Sequence, residues 1–174
     1  MPSLFPEHEM EIIPLAGESG WAEWPLLAVL VPRGDGELKG ALARLDRMAG
    51  GALSRARASG DFAGRDEDVL VVRPEGDGTP ARLVFVGLGT VDGSRPVHDG
   101  DRIRNAAGRA VRQAESLRVD RIGLVVPAQV REAADLTDEG AAQMAAEGLA
   151  LAAFDFRELR SPDAEEDRDE GDDQ

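Results

Sequence analysis

The sequence contains no cysteine and no tyrosine, and only 4% of its 174 residues are aromatic. Without cysteine the chain cannot form a disulfide framework, a thiolate zinc site, an iron–sulfur cluster or a cysteine nucleophile. The hydrophobic fraction is nevertheless 42%, which is enough for a sizeable core built from Val, Leu, Ile and Ala. A chain of this length without internal repeats predicts one domain.

Basic residues are also scarce, since 20 Lys and Arg stand against 34 Asp and Glu and give a net charge of −14. Half of this excess lies in residues 161–174, which hold eight acidic residues and one arginine. We predict that this acidic tail is disordered because it has no apolar content, and that the folded domain spans residues 1–160. The rest of the chain has no basic surplus with which to neutralise phosphates, which disfavours nucleic-acid binding.

The N-terminal residues show neither the basic nor the apolar segment of a signal peptide. The longest apolar stretch, residues 24–31, contains Pro25 and is about half as long as a membrane span. We therefore predict a cytoplasmic protein with no membrane partner.

The sequence carries none of the common catalytic signatures. His8 and His98 are its only histidines, and neither belongs to a His-Glu-x-x-His motif. No serine lies in a Gly-x-Ser-x-Gly setting. We predict that the chain has no catalytic residue and no metal ligand, and that both histidines are surface residues.

Short apolar runs alternate with amphipathic segments along most of the chain. The runs predict strands at residues 10–15, 26–31, 69–72, 83–86 and 122–126, and the segments predict helices at residues 38–49, 52–58, 101–117 and 138–153. Asp35 and Thr137 are the expected N-caps of the first and last helix. Fully apolar central strands indicate an α/β fold of three layers, with a mostly parallel mixed sheet and helices on both faces.

Glycines follow two of the predicted strands. Gly34 and Gly36 come after the second strand, and Gly87-Leu88-Gly89 closes the strand at residues 83–86. Ligands of open α/β sheets bind beside the carboxyl ends of strands, where glycines allow close approach to backbone amides. The alternative is that these glycines only provide a tight exit from the strand.

Six segments occur in the order of a known family. They are a first buried strand, a Leu-rich helix ending in AGGAL (49–53), DFAGR (61–65), RLVFVGLG (82–89), RIRNAAG (102–108), and EGLA (147–150) leading to FDF (154–156). From residue 26 to residue 156 the chain resembles the N-terminal domain of the leucyl (cytosol) aminopeptidase family.

This resemblance implies a macro-domain-like α/β/α fold. In the family, this domain precedes a catalytic domain that holds two divalent metals, a catalytic lysine and a catalytic arginine. The sequence lacks the catalytic signature of that domain, and Lys39 is its only lysine. The resemblance therefore implies no catalytic residue, metal or cofactor here, and we expect no enzyme activity from this chain alone. Whether the sequence is a stand-alone protein or an excised domain stays open.

Two hypotheses follow from the resemblance. The first is a non-catalytic domain with a regulatory, assembly or partner-binding role, whose partner is a catalytic aminopeptidase subunit or a second copy of the chain. The second is a stand-alone macro-like module that binds ADP-ribose or another nucleotide-like small molecule. Its crevice would be lined by residues 33–36, 87–90 and 127–129, with Gly34, Gly36, Gly87, Gly89 and Thr90 as ligand-binding candidates.

Overall fold

The computed structural model describes residues 11–13 and 20–158 of the chain. After a short 3-10 turn at Trp21–Glu23, the elements are β1 (Leu27–Pro32), α1 (Gly40–Met48), α2 (Ala52–Ser59), β2 (Val69–Val72), β3 (Leu83–Gly89), α3 (Pro96–Ser116), β4 (Gly123–Val125), α4 (Ala128–Ala133) and α5 (Asp138–Glu158). The acidic tail at residues 161–174 lies outside the described residues. Within the described ranges, no helix combines the length and the apolar character needed to cross a bilayer.

The sheet of the described residues has four strands in the order β2-β3-β1-β4. β1 pairs in parallel with both β3 and β4, whereas β2 pairs antiparallel with β3. The predicted mixed, mostly parallel sheet is therefore confirmed. The turn-rich segment at residues 74–80 connects the antiparallel strands β2 and β3.

Helices cover both faces of the sheet, which confirms the predicted layers. On one face, Leu30 of β1 and Val84 of β3 share a buried cluster with Ile103 of α3. On the other face, Leu42 of α1 and Phe62 pack in a second cluster with residues of the same two strands. Because β1 and β3 are covered on both sides, both strands read as continuous apolar runs.

The packing of α5 against α3 uses contact positions spaced four residues apart, most of them occupied by glycine or alanine. Gly100, Arg104 and Gly108 on α3 face Met144, Gly148 and Ala152 on α5, in that order. The pairs advance together along both helices, so the two helices run in the same direction. A Cβ on Gly148 would overlap the carbonyl group of Arg104, so this glycine sets the closeness of the crossing. The Arg104 Nε donates to Glu147 Oε2 at 2.6 Å beside it.

Two predicted helix caps have different outcomes. The Thr137 hydroxyl accepts the Gly140 amide at 3.0 Å, so the predicted cap of the last helix is confirmed. The prediction for Asp35 was wrong, because α1 begins only at Gly40 and its N-cap position, Lys39, makes no side-chain cap bond. Asp35 is exposed in the loop before it.

Three further segments differ from the sequence prediction. Residues 11–13 of the expected strand at 10–15 carry no regular secondary structure, and the other residues of that segment lie outside the described residues. α3 begins at Pro96, five residues before the predicted start, because proline suits the first turn of a helix. The six-residue α4 was missed, since Val130 is its one fully buried side chain and leaves no periodic signal.

Candidate functional site

The carboxyl ends of β1 and β3 meet at the same edge of the sheet because the two strands are parallel. A loop formed by residues 63–68, here called the 63–68 loop, crosses both ends. The Gly87 amide donates to the Asp68 carbonyl and the Gly89 amide donates to the Gly64 carbonyl, both at 2.8 Å. The loop is therefore attached to β3 by backbone hydrogen bonds.

The glycines of β3 make room for this loop. A Cβ on Gly87 would overlap the Arg65 carbonyl, and a Cβ on Gly89 would overlap the side chains of Asp66 and Arg102. Gly89 also has φ +77°, a backbone conformation that side chains disfavour. The space that these glycines leave is thus filled by the 63–68 loop. The amides of Gly87 and Gly89 already donate to this loop, so they are not free donors for a ligand.

Asp68 holds the 63–68 loop in shape. Its carboxylate accepts the amides of Ala63 at 2.7 Å and Arg65 at 3.0 Å, and its side chain is only 8% exposed. Burial raises the pKa of Asp68, but the amides of Arg65, Ala63 and Gly64 together with the Arg65 charge outweigh burial, so the pKa lies below its ordinary value.

This lowered pKa predicts a specific pH dependence. We expect Asp68→Asn to be less stable than the wild type at neutral pH, because the charged form favours the folded state. The stabilisation is complete above the ordinary aspartate pKa, about 3.9, and disappears as the pH falls through the lowered value in the folded state. Urea unfolding at a series of pH values checks this, and a stability gap that stayed constant on acidification would contradict it.

Two half-buried arginines, one from each face of the sheet, bind carbonyl groups at the strand ends. Arg57 on α2 donates to the carbonyls of Pro32 at 3.2 Å and Gly36 at 3.1 Å, and Arg109 on α3 donates to the Gly87 carbonyl. Burial lowers the pKa of both arginines, and neighbouring carboxylates offset part of that effect. Both groups nevertheless remain charged at neutral pH, as arginine does in proteins.

An open cavity of about 200 Å³ lies beside the carboxyl ends of β1 and β3. Its walls come from the loop after β1, the 63–68 loop, the end of β3 and α3, and its lining residues are Arg33, Arg65, Asp66, Glu67, Gly89, Thr90 and Arg102. The Arg102 Nη1 lies 2.8 Å from Asp66 Oδ1 and 3.1 Å from Asp66 Oδ2. The site is therefore strongly polar, with three cationic groups against two carboxylates.

The structure brings some of the predicted ligand-binding residues together and separates others. Gly89 and Thr90 line the cavity. Gly87 lies beneath the 63–68 loop, and Gly34 and Gly36 are exposed on the loop after β1 without lining the cavity. That these five residues bind a ligand remains a prediction.

Sequence reasoning missed most of the charged side chains of this cavity. Four consecutive charged residues, 65–68, follow a glycine and precede a strand, and this pattern was the available signal. Arg102 gave no such signal, because it is one of several charged residues in the predicted helix at residues 101–117.

The resemblance places the family's divalent metals in its catalytic domain, and the absence of a metal ligand from this chain stays a prediction. Among the residues that the structure describes, no group of three His, Asp or Glu side chains is placed to hold a metal ion.

The sequence model of the cytosol aminopeptidase family, N-terminal domain, matches residues 28–163. A "Probable cytosol aminopeptidase" of Roseiflexus castenholzii is 33% identical over 113 residues, which are 65% of this chain and 22% of the relative. A protein of the same name from Thermosynechococcus vestitus is 28% identical over 157 residues, 90% of this chain and 30% of the relative. The chain thus spans less than a third of these relatives.

Among solved structures, a variant of tomato leucine aminopeptidase matches with 25% sequence identity and a TM-score of 0.49, covering 74% of this chain and 25% of that one. The family match covers most of the sequence. The chain belongs to the cytosol aminopeptidase family, in which it corresponds to the N-terminal domain.

Proposed function

We propose that this chain is a non-catalytic domain of the cytosol aminopeptidase type that acts through contacts with a catalytic aminopeptidase domain. The observation that carries the proposal is the match over residues 28–163, which includes the strands and helices that the structure describes except the turn before β1 and the first residue of β1. The matched relatives are named as aminopeptidases and are several times longer than the matched segment. The role of this segment is then regulation or assembly, in the cytoplasm.

The outer surface of α5 supports contact with a partner. Leu151 is 63% exposed there, and Ala150 beside it is exposed as well. Buried apolar area stabilises an interface by about 25 cal/mol per Å², so an exposed leucine on a helix is a favourable contact point. We therefore place part of the partner surface on this side of α5.

The test uses the full chain and the Roseiflexus castenholzii relative from which the matched segment has been deleted. We expect the chain alone to show no hydrolysis of a leucine anilide with added manganese or zinc. We expect the mixture to elute in size-exclusion chromatography as a complex larger than either component. Leu151→Glu should weaken that complex, while Val71→Glu, a change of the same type on the exposed side of β2, should leave it intact.

Two results would overturn the proposal. One is hydrolysis by the chain alone that persists at constant specific activity through purification. The other is separate elution of the two components at concentrations where both remain folded.

A further inference from the structure

The arginines of the cavity come from three separate elements in a strongly acidic protein. Arg33 follows β1, Arg65 belongs to the 63–68 loop and Arg102 lies on α3. All three residues line one small cavity although the chain has a net charge of −14. Like charges placed together repel each other, so their convergence points to an anionic ligand.

Only part of this positive charge is neutralised within the protein. Arg102 forms its ion pair with Asp66. Arg65 lies 3.9 Å from Asp68, whose carboxylate already accepts two amides, and the Arg65 side chain is 49% exposed. Within the described residues, no ion pair engages the exposed guanidinium of Arg33. Glu67 also lines the cavity, and its negative charge would repel an anionic ligand. Two available cations, Arg33 and Arg65, therefore stand against one carboxylate without an ion pair among the described residues.

Hydrogen bonds hold the backbone of Arg33 and Arg65 in place. The Arg33 amide donates to the Gly89 carbonyl at 2.8 Å. The 63–68 loop that carries Arg65 is attached to β3 and held in shape by Asp68. Little backbone entropy is therefore lost when a ligand orders these side chains, which favours binding.

The size and chemistry of the cavity limit the ligand. About 200 Å³ is less than the 300–1,000 Å³ typical of sites for drug-sized molecules, so the cavity holds one compact group and part of what is attached to it. A phosphate offers at least three oxygens, which can be shared by two guanidinium forks and the Thr90 hydroxyl. A carboxylate offers two.

We infer that this cavity is a binding site for a phosphate group, held by Arg33 and Arg65 with Thr90 as a hydrogen-bond donor. The phosphate is recognised through side chains, since the neighbouring amides of Gly87 and Gly89 are already used. Its source is either free phosphate or a nucleotide-like molecule such as ADP-ribose. This inference does not depend on the proposed partner role.

The test is calorimetric titration of the full chain with inorganic phosphate and, separately, with ADP-ribose, at constant ionic strength. We expect saturable binding that weakens as salt is added. Arg33→Ala and Arg65→Ala should each lower the affinity about tenfold or more, because each removes a charge-assisted hydrogen bond. Tighter binding of ADP-ribose than of phosphate would identify a nucleotide-like source, and equal or weaker binding would identify free phosphate.

Arg73→Ala is the matched control. Arg73 is exposed and follows β2, and because β2 is antiparallel to β3, it lies at the opposite end of the sheet. We expect this variant to bind as the wild type does. Absence of saturable binding of both probes, or an equal loss of affinity in the Arg73 variant, would overturn the inference. Thermal unfolding of all three variants verifies that they are folded.

Discussion

Replacing Gly87 by alanine is expected to remove a large part of the stability of the domain. Gly87 is buried in β3 with the backbone of the 63–68 loop directly against it, and a methyl group would overlap the Arg65 carbonyl. The obstacle is backbone on both sides, so the clash cannot be relieved by rotating a side chain. Overpacking of this kind costs about 3 kcal/mol or more, which lowers Tm by roughly 6–12 °C for a chain of this length.

Gly36→Ala is the control for this prediction. An added Cβ at Gly36 meets nothing within 4 Å, and its φ is not in the left-handed region. We expect this variant to be as stable as the wild type or more stable by about 0.4–1 kcal/mol, because alanine restricts the unfolded chain. Urea unfolding measures both variants. Equal stability of the Gly87 variant and the wild type would show that the 63–68 loop does not lie on β3.

The second large effect is expected at Asp46, a buried carboxylate on α1 that caps the neighbouring helix. It accepts the amides of Leu53 at 2.9 Å and Ser54 at 3.2 Å, and the Ser54 hydroxyl as well. These amides belong to the first turn of α2, where no intrahelical acceptor exists and where a negative charge is favourable. The preceding N-cap residue, Gly51, has no side chain that could accept hydrogen bonds from these amides.

Asp46→Ala should therefore lower the free energy of unfolding by about 2–3 kcal/mol, because it leaves the buried Leu53 amide without an acceptor. The matched control is Asp35→Ala, which removes an exposed aspartate that makes no cap bond and should change stability by less than about 0.5 kcal/mol. Thermal and urea unfolding compare the two variants. A larger loss at Asp35 than at Asp46 would refute this assignment of the cap.

The central part of the fold could be predicted because its signal is local and strong. The apolar runs at residues 26–31 and 83–86 are typical of strands that are covered on both faces, and the bounds of β1 and β3 differ from these runs by at most three residues. The glycine pair at residues 50–51 likewise ends α1 and begins α2 by its left-handed conformation.

The caps and the charged cavity could not be predicted in the same way. Asp35 and Asp46 are both aspartates near helix ends, and only the tertiary arrangement of α1 and α2 decides that Asp46 is the cap. The glycines of β3 indicated close approach correctly, but sequence cannot tell whether a ligand or the chain's own loop approaches. Arg33, Arg65 and Arg102 are distant in sequence and meet only through the parallel pairing of β1 and β3.

The crossing of α5 over α3 also determines how α5 can be displaced. Sliding α5 by one helical turn in either direction would place the side chain of Met144 or Ala152 where Gly148 now accommodates the Arg104 carbonyl. The other glycine of α5, Gly140, is eight residues away, which is about 12 Å along a helix. A shift of one turn is therefore opposed by steric overlap. The C-terminal end of α5 therefore has one fixed position along the axis of α3. Because α3 packs on the sheet, this end of α5 also has one fixed position relative to the sheet.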